Sequence, residues 1–117
     1  GPFHELIVGL QTDPALGRFV LVGLGGVWTE ILDDAVAGKV GHIDYETAQS
    51  MLERLKGFET LLGARGGIRA HLPGVINAIL TIDALAERFP EVRSVDLNPL
   101  LVTADTAWVV DALIETE

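Results

Sequence analysis

The sequence predicts an α+β fold, an antiparallel or mixed sheet built of hairpins with two long helices packed on it. Three observations carry that expectation. Short aliphatic runs bounded by turn residues recur near both ends of the chain. Two stretches between them space apolar residues at i, i+3, i+4 and i+7, the period of one helix face. A length of 117 residues that is 49% hydrophobic is enough for one core.

Residues 4–10, His-Glu-Leu-Ile-Val-Gly-Leu, read as a strand, and Asp13-Pro14-Ala15-Leu16-Gly17 as a turn. Phe19-Val20-Leu21-Val22 returns as the second strand of a hairpin. Both strands are apolar on both faces, which predicts a hairpin covered on both sides. Gly23-Leu24-Gly25-Gly26 interrupts the pattern, and Val27 to Leu32 resumes a strand-like run. Residues 33–43 fit either state. Asp44 suits a helix N-cap, and Ala48, Met51, Leu52 and Leu55 follow on one face of a helix that stops near Gly57. A helical turn over 58–62 and a Gly/Arg loop lead to Pro73, in the first turn of the second long helix. Its stripe is Val75, Ile76, Ile79, Leu80, Ile82, Leu85, Ala86 and Phe89, and Pro90 stops it. Val92–Leu97 reads as a strand, broken by Asn98-Pro99 and continued over Leu100–Thr103. Ala104-Asp105 turns, and Ala107–Ile114 returns as a strand.

Composition narrows the function. Lys and Arg number 8 against 17 Asp and Glu, a net charge of −9. Nucleic acid and anionic membranes are attracted by Lys and Arg, so neither is an expected partner. With no Cys there is no disulfide scaffold and no thiolate zinc site. No apolar run reaches the roughly 18–20 residues that cross a bilayer, and a cytoplasmic unit is expected. Gly1-Pro2 reads as a remnant of protease cleavage, leaving 3–117 as a single subdomain and a piece of a longer chain.

Several familiar chemistries fail on spacing. Gly23-Leu24-Gly25 lacks the third glycine of a dinucleotide fingerprint, because position 28 is Trp28. Gly38-Lys39 is followed by Val40, not by the Ser or Thr of a phosphate loop. Ser50 and Ser94 sit in no nucleophile elbow, and His4, His42 and His71 show no metal-ligand spacing. Two features survive. The glycine turn 23–26, followed by Glu30, suits either an anion-binding nest of amides or a tight turn at a crowded corner; spacing alone favours the corner. Asp96-Leu97-Asn98-Pro99-Leu100 is followed by Asp111, which a hairpin about Ala104-Asp105 returns beside Asn98. A carboxylate and an amide oxygen at a strand end suit Mg²⁺, with Asp96 on the same face as an alternate or outer ligand; an Asx turn with an edge charge is the other reading. Asp111 lies among Trp108-Val109-Val110 and Ala112-Leu113-Ile114, which predicts a buried carboxylate in need of a partner.

The ordered set His4-Glu5-Leu6-Ile7-Val8-Gly9, Asp13-Pro14, Val22-Gly23-Leu24-Gly25-Gly26-Val27 with Glu30, and Asp96-Leu97-Asn98-Pro99-Leu100 with Asp111-Ala112 resembles a known family. It is similar to the C-terminal half of the ATP-grasp domain of ADP-forming acyl-CoA synthetases and, more distantly, of the succinyl-CoA synthetase β subunit. The module also occurs fused in protein acetyltransferases. The resemblance implies an acid–thiol ligase parent that passes a phosphoryl group between ADP or ATP and a phosphohistidine in another domain. It implies Asn98 and Asp111 as Mg²⁺ ligands, and Gly25, Gly26 and Glu30 on the nucleotide side of the cleft. His71 and Leu113 stand where the family pattern has Asp and Arg. The implied partners are the N-terminal ATP-grasp lobe and the CoA-binding and phosphohistidine domains. Without them the chain should be inactive and should expose an apolar lobe surface, open to homo-oligomer formation. The alternative from a different class is a free-standing, non-catalytic α+β binding or regulatory module that oligomerises.

Overall fold

The computed structural model describes residues 2–25 and 34–117. The elements are β1 (His4–Asp13), β2 (Gly17–Leu24), β3 (Ala35–Lys39), α1 (Tyr45–Glu53), α2 (Phe58–Leu61), α3 (Leu72–Arg88), β4 (Val92–Val102), β5 (Ala107–Val109) and β6 (Ala112–Thr116). A 3₁₀ turn at Ala64–Gly66 precedes α3. The strands form one sheet in the order β3-β2-β1-β4-β5, with β6 also on β4, and every pairing is antiparallel. The α+β class expected from the sequence is the class observed.

The first hairpin turns where Pro14 and Gly17 require it. The Asp13 carboxylate accepts the Ala15 and Leu16 N–H groups, each at 2.8 Å, and Gly17 takes φ +95°, a region that favours glycine. Asp44 caps α1 by accepting the Thr47 N–H at 2.7 Å. The helix ends at Glu53, a turn earlier than Gly57 suggested. Helix α3 carries Pro73 in its first turn and buries Val75, Ile76, Ile79, Ile82 and Ala86. These pack on Leu6, Val8, Leu10, Val20 and Val22, the inward residues of β1 and β2. Phe89 does not join the core: it lies beyond the helix end, exposed, with the Arg88 guanidinium 5.6 Å from its ring centre.

Three expectations change. Residues 35–39, which fitted either state, form β3. The strand-like run 27–32 lies outside the described residues. Ala107–Ile114 is not one strand but two, β5 and β6, parted at Val110-Asp111. Among the described residues the β1–β2 hairpin is covered on one face only, because all the described helices pack on the same side. Its other face carries half-buried Ile7 and Leu21 beside Gly9 and Gly23. Among the described residues no helix is long and apolar enough to cross a membrane.

Candidate functional site on the open sheet face

The helix-free face of the sheet forms a groove of about 460 Å³, lined by Ile7, Gly9, Gln11, Leu21, Gly23, Ala35, Ser94, Asp96, Asn98, Leu113 and Glu115 among others. Register explains its shape. Ala37, Leu21, Gly9, Asp96 and Leu113 are paired in turn across β3, β2, β1, β4 and β6. In the next row Ala35 pairs Gly23, which pairs Ile7. Glycine and alanine keep this floor low, while Asp96, Asn98 and Glu115 rise along its β4–β6 flank. Gly9 has a second reason to be glycine: a Cβ there would lie 2.6 Å from the Val95 carbonyl oxygen.

Asn98 and Asp111 are brought opposite one another. The Asn98 N–H donates to the Asp111 carbonyl at 3.1 Å, and the Val110 N–H donates to the Pro99 carbonyl at 3.0 Å. Between Leu6 and Val8 on β1 the partner strand advances from Leu100 to Leu97, one residue more than β1 does. The extra residue is a bulge at Asn98-Pro99, a device that re-aims side chains beside functional sites. It lets β4 run continuously through a position where Asn-Pro suggested a break.

Asp96 and Asn98 both line the groove, as alternate residues of a strand do. Asp111 is exposed, not buried as its apolar neighbours suggested, because nothing among the described residues covers β5 and β6 from outside. One of its carboxylate oxygens accepts the Ala112 N–H at 2.9 Å, and the other makes no hydrogen bond to a described residue. No cluster of three or more His, Asp or Glu able to hold a metal occurs among the described residues. An all-protein cage is therefore not offered, whereas an amide oxygen and a carboxylate sharing a cation with waters and phosphate is the usual Mg²⁺ arrangement. The donors present fit that ion.

Gly25 lies apart from this groove, in a shallow depression with Phe3, Glu5 and Thr60. Its N–H donates to the Glu5 carbonyl at 2.6 Å, and a Cβ would sit 2.7 Å from that oxygen. Crowding alone therefore demands glycine there. Gly26 and Glu30 lie outside the described residues. Local pattern missed Asp34, whose carboxylate accepts the Lys56 and Gly57 N–H groups at 2.6 and 2.9 Å. It also missed Asp83, buried on α3, which accepts the Gly41 N–H at 2.9 Å. The positive φ of Gly41, +87°, is the only local sign of that turn.

A family model described as an ATP-grasp domain matches residues 2–116. The β subunit of ADP-forming acetate–CoA ligase I from Pyrococcus furiosus is 38% identical over 109 residues, 93% of this chain and 47% of that one. The ADP-forming acetate–CoA ligase I of Archaeoglobus fulgidus is 36% identical over 107 residues, 92% of this chain and 16% of that one. Among solved structures, the dinucleotide-forming acetyl-coenzyme A synthetase 1 of Ca. Korarchaeum cryptofilum matches with a TM-score of 0.89 and 32% identity. That match covers 100% of this chain and 55% of the other, which was solved with coenzyme A and Mg-AMPPCP, its phosphohistidine segment pointing towards the nucleotide binding site. The chain thus spans about half the length of the Pyrococcus subunit and less of the single-chain ligase. With its antiparallel sheet, one-sided helices and near-complete match, the chain belongs to the ATP-grasp domain family, in the form found in ADP-forming acyl-CoA synthetases.

Proposed function

We propose that this chain is the C-terminal lobe of an ATP-grasp cleft in an ADP-forming acyl-CoA synthetase. There it holds Mg²⁺ and nucleotide while a phosphoryl group passes between ADP or ATP and a phosphohistidine on another domain. The observation that supports the reading is the Asn98 N–H to Asp111 carbonyl bond, which sets the two residues opposite one another, with Asn98 and Asp96 lining the open groove. Asn98 and Asp111 would hold the ion, with Asp96 beside them on β4. When bound, Mg²⁺ supplies charge neutralisation to the phosphates.

The protein's share is positioning. Phosphoryl transfer asks little covalent chemistry of the enzyme and much alignment of phosphate, metal and acceptor. The bulge at Asn98-Pro99 and the break at Val110-Asp111 set Asn98, on β4, opposite Asp111, between β5 and β6. The low floor of Gly9, Gly23 and Ala35 admits a ligand close to the backbone. No Lys or Arg lines the groove. A bare polyphosphate would be repelled by Asp96 and Glu115, so the phosphate-binding cations come from outside this groove, the N-terminal lobe being their source in this reading. Gly25, Gly26 and Glu30 are assigned to the nucleotide side on the family pattern.

The test is made in the full-length parent. Asn98→Ala and Asp111→Ala should each abolish phosphoryl transfer and weaken Mg-nucleotide binding, with acyl-CoA binding nearly unchanged, because the ion touches nothing of the thioester. Normal transfer by either variant overturns the assignment.

A further inference from the structure

We infer that β6 is an acceptor edge: in the intact protein an extended segment from outside these 117 residues pairs with it and continues the sheet. The inference rests on the reading of the chain as part of a longer protein, and not on the metal site. Among the described residues β6 pairs only with β4, and none of them pairs with its other edge. All five of its residues are exposed. Apolar side chains stand uncovered on both faces of this ribbon: Leu113, on the groove side, is 62% exposed, and Ile114, its neighbour on the alternate face, is 51%. Trp108 and Val110 extend the patch along the ribbon. An edge strand that leaves apolar side chains and backbone groups open is a template for strand addition, even one of five residues with a single charge, Glu115. β6 carries no Lys or Pro, and no described residue covers its outer edge.

Two observations select the occupant. The chain spans 47% of the Pyrococcus subunit and 55% of the matched synthetase chain, so a comparable length of polypeptide lies beyond it in such proteins. Charge disfavours a second copy. Laid antiparallel about Ile114, a twin would set Asp111 against Glu117 and Leu113 against Glu115, opposing like charges and burying a carboxylate on an apolar side chain. The complementary strand alternates apolar residues and carries Lys or Arg where it meets Asp111, Glu115 and Glu117.

The Asn98 N–H to Asp111 carbonyl bond sets the alternation, turning Asp111, Leu113 and Glu115 towards β4 and Ile114 outward. Hydrogen exchange at the Ile114 amide reads the occupant directly. It should be fast in the 117-residue protein and at least roughly 100-fold slower in the full-length parent, the range between an open edge and a paired strand. Ile114→Pro removes only the outward N–H, so it should shift the melting temperature of the 117-residue protein by less than about 3 °C and lower that of the parent by more. Equal exchange in the two proteins overturns the inference. So does concentration-dependent protection in the 117-residue protein, which would make a second copy the occupant. Loss of phosphoryl transfer on Asn98→Ala without any such protection would leave the metal reading intact and this one refuted.

Discussion

Asp44 and Asp13 show what single residues contribute here and how far sequence reveals it. Both carboxyls are held below the ordinary Asp value, Asp44 first by the Thr47 hydroxyl and then its N–H, Asp13 by the Leu16 and then the Ala15 N–H. A carboxyl with a lowered folded-state pKa stabilises at pH above its unfolded value, near 4, and that stabilisation is lost as pH falls through the folded value. Stability should therefore decline in that acid window, and Asp44→Ala should lower the denaturant midpoint at pH 7 while flattening the decline, as urea melts across pH 2.5–7 would read it. The Asp44 cap was legible, because caps act within three residues of chain; at 13–17 the turn was legible from Pro14 and Gly17, while the bonds to the Asp13 carboxylate came with the structure. Asp111 was legible only in part. Its neighbours placed it on a returning strand opposite Asn98. It does lie opposite Asn98, but in the break between β5 and β6, and its burial depends on what lies outside β6, which no local pattern states. Exposure makes a further prediction: Asp111→Asn should change the folding stability of the 117-residue protein by no more than about 0.5 kcal/mol. A larger loss in denaturant melts would mean that the carboxylate is structural.

At the level of elements, α3 binds the sheet together. Ile79 is fully buried against β1 and β2, so Ile79→Ala should cost about 2–4 kcal/mol, measured by equilibrium unfolding. Gly9→Ala should cost more than the roughly 1 kcal/mol of an average substitution, since the added methyl meets the Val95 carbonyl of the neighbouring strand. The 3.6-residue period made α1 and α3 readable almost residue by residue. β3 was not readable, because Ala35-Val36-Ala37-Gly38-Lys39 has neither strong strand formers throughout nor a clear alternation, and only its pairing with β2 makes it a strand. The bulge at Asn98-Pro99 was equally hidden. Proline next to asparagine signals a stop locally, while the ladders on both sides of β4 carry the strand through it. The open face of the hairpin was misread for a related reason: glycine and alanine count as apolar whether they fill a core or floor a groove.

For the whole molecule, charge and incompleteness go together. The chain carries a net charge of −9, and no Lys or Arg is among the described residues that line the groove. The 117-residue protein should therefore bind Mg-ATP more weakly than about 10 μM, near −7 kcal/mol, in calorimetry. Tighter binding would show that the missing half is not needed. The family was legible from an ordered series of short motifs, although each of them alone is weak. The placement of Asn98 opposite Asp111 was legible from the sequence, whereas the groove itself needs five strands in register and emerges only in three dimensions. The central claim is that Asn98 and Asp111 would hold the Mg²⁺ that neutralises phosphate charge during phosphoryl transfer. Its most direct measurement is single-turnover transfer between the phosphohistidine of the full-length parent and ADP, wild type against Asp111→Asn. The substitution keeps the shape of the side chain and removes its charge, so the rate should fall by roughly 10³-fold or more with acyl-CoA affinity unchanged. Transfer at the wild-type rate would contradict the account.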